Sequence, residues 1–343
     1  MRLLEVSDLT VAFPTADGVV RAVRGVSFGV EKGRTLGIVG ESGSGKSVAA
    51  LTLLGLARGA TVAGSAMFAG ADLLRMGEAE LRGVRGARIA MVFQDPLSSL
   101  HPLYRIGWQI AEVVRAHTGA GRRAARERAV ELLGMVGIPQ PRRRVDDYPH
   151  EFSGGMRQRV MIAIALALNP EIVIADEPTT ALDATVQAQI LDLLQRLQRE
   201  FGMALLFITH DLGVVAQVAD EVLVMYAGRA AEQGGRRTVF YRAHHPYTLG
   251  LLASVPSAAG RDRLHPIPGQ PPSPIALPAG CPFQPRCSYR MPRCAAEEPA
   301  PRPVAGGPGH GSACWLPADA LGAAAPAQAA RLLAARSAAE VTR

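Results

Sequence analysis

The segment Gly40-Glu41-Ser42-Gly43-Ser44-Gly45-Lys46-Ser47 constrains this chain more than any other. It fits the pattern G-x-x-x-x-G-K-[ST]. Before it lies an apolar run, Arg34 to Gly40, that reads as a buried strand; after it lies an apolar helical pattern, Lys46 to Leu56. Gly40, Gly43 and Gly45 let the chain curl so that successive N–H groups, those of Ser42 and Ser44 among them, face phosphate oxygens. The N-terminus of the following helix adds positive partial charge. In such a loop Lys46 reaches the β- and γ-phosphates, and the Ser47 hydroxyl binds Mg²⁺. The alternative is a Gly-rich turn that merely opens a helix. The strand–loop–helix context argues for phosphate, and so does the scarcity of lysine: of 37 basic residues only Lys32 and Lys46 are not arginine.

A strand–loop–helix of this kind belongs to an α/β sheet, and the rest of the chain agrees. LTVAF and VVRAVRGVSFGV, with Asp17-Gly18 between them, read as a β-hairpin. IAMVFQ, Ile89 to Gln94, is a strand. From Tyr104 to Met135 apolar residues recur at helical spacing with a break at Thr118-Gly119, and IPQPRRRVDDYP closes this helical insert. A helix from Gly155 to Leu168 stops at Asn169-Pro170. Strands EIVIA, ALLFIT and EVLVMYAG then alternate with helices Val186 to Glu200 and Leu212 to Ala219. Such alternation predicts a mostly parallel sheet with helices on both faces.

The length of 343 residues allows one domain of about 200–250 residues and an appendage. The longest apolar run, Val160 to Leu168, is too short for a membrane span, which takes about 18 residues or more. The N-terminus carries Glu5 and Asp8 where a signal peptide needs apolar residues. Both points lead to the expectation of a cytoplasmic protein. The net charge of +7 is scattered without a long basic run, so no nucleic-acid partner is expected.

Two further segments carry chemistry. Glu171 to Glu177 is an apolar strand ending in two carboxylates. Asp176 at its C-terminal end can hold Mg²⁺, and Glu177 can polarise an attacking water. Phe152-Ser153-Gly154-Gly155-Met156 precedes a helix. Ser153 there is either an N-cap or, with the free N–H groups of a Gly-Gly helix start, an anion-binding group.

In order along the chain, GESGSGKS, FSGGMRQR, EIVIADEP, TALD and the ITHD containing His210 resemble the motif set of the ABC-type ATPases. The resemblance covers residues 1 to about 240 and implies an α/β fold: a P-loop ATPase core with a mostly parallel sheet, an N-terminal antiparallel β region and a helical insert. It further implies that two such domains sandwich two nucleotides, each meeting the phosphate loop of one domain and the signature serine of the other. By that resemblance Phe13 stacks on adenine, Gln94 senses the γ-phosphate and helps hold Mg²⁺, and His210 contacts the γ-phosphate. Asp183 communicates across the dimer, while Ser153 and Gly155 serve the opposite nucleotide. The residues alone allow plainer roles: Phe13 as a strand apolar residue, Gln94 as a surface amide, His210 as a structural histidine. The signature departs from the family's commonest form, with Phe152 for leucine and Met156 for glutamine, but its serine and glycines stand. With Glu177 and His210 both present, ATP hydrolysis is expected.

Ser98-Ser99-Leu100-His101-Pro102 and His245-Pro246-Tyr247-Thr248 narrow the branch. The latter resembles the start of the C-terminal extension in ATP-binding subunits of peptide and nickel importers. The chain's four cysteines, Cys281, Cys287, Cys294 and Cys314, are spaced C-x5-C-x6-C-x19-C in a stretch dense in proline and glycine. Their clustering points to a shared ligand, and a reducing compartment argues against disulfides. Structural zinc usually shows a C-x2-4-C pair, and none is present. A [4Fe–4S] cluster suits these wide loops better, as the resemblance to the peptide-importer extension also implies; zinc is the second choice. His310 is a loop histidine or a substitute ligand.

The expectation is therefore an ATPase subunit powering import of oligopeptides or dipeptides. It would sit peripherally on the cytoplasmic face of the inner membrane. The implied partners are two integral membrane permease subunits, a second ATPase subunit (a sister chain or another copy) and, through the permease, an extracytoplasmic substrate-binding protein. Residues 1–240 would form the nucleotide-binding domain, with the helical subdomain at about 96–155, and residues 241–343 the extension. Nickel, glutathione-like or antibiotic cargo is the alternative within this class. Outside it stand an exporter half, which needs membrane spans or other partners, and a soluble ATPase acting on DNA or ribosomes. The DNA-acting relatives need long coiled coils between phosphate loop and signature, and the ribosomal ones two cores in one chain; neither feature is present.

Overall fold

β-Branched and apolar residues alternate through the first 31 positions, and in the computed structural model they form two long strands, Arg2–Thr15 and Gly18–Glu31. The structure describes residues 2–180, 182–254, 266–304 and 309–317. Ala181 of the TALD motif and residues 318–343 of the expected extension thus lie outside the described residues. The chain divides into two units: one of residues 30–34 and 75–208, the other of residues 2–29, 35–74 and 209 onward.

In the second unit the first strand also pairs antiparallel with Thr61–Phe68, from Leu4 opposite Phe68 to Ala12 opposite Thr61, and Ala71–Asp72 closes this sheet. Thr61–Phe68 escapes the sequence reading because its TVAGSAMF is small and glycine-broken, with weak strand preference. The strand Thr35–Val39, buried throughout, runs parallel to Glu221–Tyr226. A tight turn then reverses the chain into Arg229–Gly235, antiparallel to Glu221–Tyr226. Two short strands of the C-terminal extension, Gly311–Ser312 and Arg302–Pro303, continue from this edge, with Glu232 opposite Ser312. The extension is therefore part of a sheet rather than a loop hung beside it.

The helix Pro246–Ala253 opens the extension, with Pro246 in the first turn where no N–H is needed. Its cap is His245, whose Nδ1 accepts the Tyr247 N–H at 3.1 Å. Burial pushes the His245 pKa down to about 4, outweighing the attraction of Glu232, so the ring is neutral and free to accept that bond. His310 lies in the loop just before Gly311–Ser312, with its ring turned inward. Its Nε2 lies 2.8 Å from Glu232 Oε1, and both side chains are fully buried.

In the first unit Ile172–Asp176 lies between Ile89–Val92 and Ala204–Thr209, all parallel, with Ala175 level with Val92 and Phe207. The helical insert forms as expected: Ile106–Thr118 ends at Gly119 in the left-handed region (φ 67°), and Arg122–Met135 follows. Ile106, Ile110 and Val114 make the buried stripe of the first of these helices, at the four-residue spacing an amphipathic helix requires. The signature helix, Gly154–Ala165, ends three residues earlier than the sequence suggests. Asn169 then takes a left-handed conformation (φ 53°) ahead of Pro170. Among the described residues no helix is long and apolar enough to cross a membrane.

Candidate functional site

In the second unit the strand Thr35–Val39 delivers the chain into the phosphate loop. Gly43 and Gly45 adopt positive φ (78° and 98°), which side-chain-bearing residues resist. The helix Lys46–Leu53 begins at Gly45, and a helix N-terminus at this point favours an anion. Lys46 is buried, and its Nζ donates to the Gly40 carbonyl (2.7 Å), the Glu41 carbonyl (2.9 Å) and Ser44 Oγ (3.4 Å). The ammonium is thus held inside the loop's concavity by acceptors it can exchange for phosphate oxygens. Phe13 is half-buried on the first strand, and His210 is exposed just after the strand Ala204–Thr209. Asp211 fixes the backbone there, accepting the Gly213 and Val214 N–H groups as cap of the helix Leu212–Val218.

In the first unit Asp176 is buried at the C-terminal end of Ile172–Asp176. Glu177 follows with φ 47°, a left-handed conformation that costs a non-glycine residue about 1–3 kcal/mol. Its N–H donates to the Ile208 carbonyl (2.8 Å), which pins the turn. The carboxylate accepts Gln94 Nε2 at 3.2 Å and Thr180 Oγ1 at 2.9 Å. The structure thus brings Gln94 and Glu177 together, 83 positions apart, and adds Thr180. The sequence held only a weak signal for Thr180, a hydroxyl three residues beyond the acid. Ser153 caps the signature helix by accepting the Met156 N–H at 3.4 Å, and it is exposed. Gly155 lets this helix lie against Ala184–Phe201, because a Cβ there would meet Val186 Cγ1 at 2.6 Å. Asp183 caps Ala184–Phe201 through the Thr185 and Val186 N–H groups, at 3.0 and 2.9 Å.

The four cysteines fall in the second unit and form no disulfide. The Cys281 N–H donates to the Cys294 carbonyl at 2.8 Å. Gly280 permits that approach, since a Cβ on it would meet the Ala295 backbone at 2.8 Å. Burial, together with neighbouring thiols, pushes Cys281 and Cys314 up to about 11 and raises Cys287 as well. Cys294 is a neighbour of all three of these thiols, and a bound cation would have to displace their protons. Among the described residues no three His, Cys, Asp or Glu side chains converge on a position for a single metal ion. The four thiols lie on separate short segments, Cys294 on the helix Pro292–Ala296 and Cys281, Cys287 and Cys314 outside helices and strands.

Comparison with known proteins adds to this geometry. Residues 23–180 match the family model described as ABC transporter, and residues 231–294 match the oligopeptide/dipeptide transporter C-terminal region. The oligopeptide transport ATP-binding protein OppD of Salmonella typhimurium is 53% identical over 93% of this chain and 95% of its own. The dipeptide transport ATP-binding protein DppD of Escherichia coli is 48% identical over 94% and 99%. Among solved structures, the dimeric ATP-binding cassette MJ0796 in a post-hydrolysis state with ADP and Pi superposes with a TM-score of 0.62 at 28% identity, covering 68% of this chain and 98% of that one. The cassette cbiO1 of Clostridium perfringens gives 0.59 at 29% identity, over 70% and 90%.

Proposed function

The chain belongs to the ATP-binding subunits of oligopeptide and dipeptide ABC transporters, and from that premise we propose how its residues power import. The observation that carries the reading is the phosphate loop with Lys46 buried inside it, in a chain whose Glu177 carboxylate is held by Gln94 and Thr180. Lys46 and His210 would stabilise charge on the transferring phosphoryl group, and Glu177 would orient the attacking water. Ser47, Gln94 and Asp176 would hold Mg²⁺, which supplies further charge neutralisation. Phe13 would support the adenine. Ser153 and Gly155 would serve the nucleotide of a second ATPase subunit, either a sister chain or another copy, with Asp183 at the junction; the dimeric state of the related cassette supports this arrangement.

Residues 1–240 act as the nucleotide-binding domain and 241–343 as the extension. Peptide passes through two membrane permease subunits supplied by an extracytoplasmic binding protein, and this chain lies peripherally on the cytoplasmic face. The helical insert offers the permease a face. Leu103, Tyr104 and Trp108 are exposed there, the last two stacked at 4.2 Å, beside a cavity of about 430 Å³ whose lining includes Trp108, Arg115, Arg122 and Arg126. Exposed aromatics beside arginines are the usual make-up of a protein contact. Cargo is selected by the other subunits. The test is reconstitution with permease and binding protein in liposomes: ATP-dependent uptake of labelled oligopeptide is expected, and ATPase activity without peptide uptake would remove peptide as cargo.

Cys281, Cys287, Cys294 and Cys314 would hold a [4Fe–4S] cluster, with zinc the second choice. The cluster would supply a further cross-link among the four segments that carry the cysteines, beside the sheet pairing and ion pairs that already fasten the extension. Protein purified without oxygen is expected to carry about four iron and four sulfide per chain with broad visible absorption. Zinc alone would recast the site as a structural clip, and neither metal would refute a shared ligand.

A further inference from the structure

Glu41 is the one charged side chain within the phosphate loop apart from Lys46, and the motif asks nothing of it. Every functional group it has is nonetheless engaged. Its carbonyl accepts Lys46 Nζ at 2.9 Å. Its N–H donates to Tyr247 Oη at 2.8 Å. Its carboxylate takes a bidentate pair from Arg286, at 2.6 and 2.9 Å. Both Tyr247 and Arg286 come from the C-terminal extension, more than 200 residues along the chain.

Arg286 is itself built in. Its side chain is 4% exposed, its Nε donates to the Pro268 carbonyl at 2.8 Å, and its Nη1 also reaches Tyr226 Oη at 3.2 Å. The guanidinium lies 5.8 Å from the Tyr226 ring centre and 5.9 Å from that of Phe283. Tyr226 and Tyr247 pack at 4.6 Å, so the two clamps brace each other. A bidentate guanidinium–carboxylate pair fixes orientation as well as charge.

We propose that the C-terminal extension is a working part of the nucleotide site, in which Tyr247 is a positioning residue that holds the phosphate loop at the Glu41 N–H, and Arg286 cancels the Glu41 charge that would otherwise repel the triphosphate. The inference rests on the reading that Gly40–Ser47 binds ATP. The physical point is one of sign. A carboxylate in the wall of an anion site weakens binding in proportion to the anion's charge unless a cation neutralises it, and a loop tether without electrostatic work would not distinguish ligands by charge.

The test uses the full chain and fluorescent derivatives of ATP, ADP and adenosine. Arg286→Ala is expected to weaken ATP about ten-fold, ADP about three-fold and adenosine hardly at all, with the ATP loss shrinking as salt rises. In turnover, KM for ATP rises while kcat stays within about two-fold. Glu41→Gln acts in the opposite direction, tightening ATP about three-fold, and placed in the Arg286→Ala background it restores affinity to near that of the unaltered chain. Arg286→Lys keeps the charge and recovers most of the affinity. A folding defect would weaken ATP in both single variants, which the Glu41→Gln result and a thermal melt expose. Equal loss for all three ligands, or a double variant as weak as Arg286→Ala, overturns the proposal. Failure of the unaltered chain to bind ATP would instead overturn the reading on which it rests.

Discussion

Glu177→Gln is expected to bind ATP as the unaltered chain does and to hydrolyse it about 10²–10⁴-fold more slowly, the usual contribution of a positioned base. The substitution is close to isosteric. An amide oxygen can still accept from Gln94 Nε2 and Thr180 Oγ1, the two bonds that aim this side chain. The backbone is unaffected, since the strained φ of 47° is stabilised by the N–H bond to Ile208 and not by the carboxylate. What disappears is the ability to take a proton from water. Nucleotide affinity depends instead on the phosphate loop, where Lys46 and the helix start Lys46–Leu53 lie. Equilibrium binding and single-turnover hydrolysis measure the two separately. Undiminished single-turnover hydrolysis would remove Glu177 from its role, and lost binding would mean that the carboxylate serves the fold.

The nucleotide chemistry is legible in the sequence because it is local. Glycine spacing before a helix, an acid pair at the end of a buried strand and a Ser-Gly-Gly at a helix start each state their conformation within eight residues. Arg302–Pro303 and Gly311–Ser312 could not be read that way, being two residues long and rich in proline and glycine. Arg229–Gly235 reads RAAEQGG and has almost no strand preference of its own; it is held by pairing to Glu221–Tyr226. The links that make the extension part of the molecule, Glu41 to Arg286 and Glu232 to His310, span 245 and 78 positions. Each is a polar residue whose meaning depends on a partner that no periodicity indicates. Asp183 and Ser153 show the opposite limit: their capping geometry is plain in one chain, while their expected second role needs another chain.

Glu232→Ala is expected to destabilise the second unit by about 3–5 kcal/mol, the cost of removing one member of a buried, hydrogen-bonded ionisable pair. The carboxylate is wholly buried and satisfies three donors: the His244 N–H at 2.7 Å, the His245 N–H at 3.0 Å and His310 Nε2 at 2.8 Å. Alanine leaves all three facing a dry cavity. They lie on two chain segments, the 244–245 turn that starts the helix Pro246–Ala253 and the residue before Gly311–Ser312, so one side chain locks both to the strand Arg229–Gly235. Glu232→Gln should cost less, because one amide oxygen still accepts while the amide nitrogen confronts an N–H. Urea unfolding midpoints of the three proteins, with limited proteolysis of the extension, measure the order: unaltered, glutamine, alanine. An alanine variant within about 1 kcal/mol of the unaltered chain would mean that water replaces the carboxylate and that the cluster is not the anchor. Tyr247, two residues beyond His245, carries the consequence to the nucleotide. If the 244–245 turn loosens, Tyr247 Oη leaves the Glu41 N–H, and ATP affinity falls together with the proteolytic resistance of the extension.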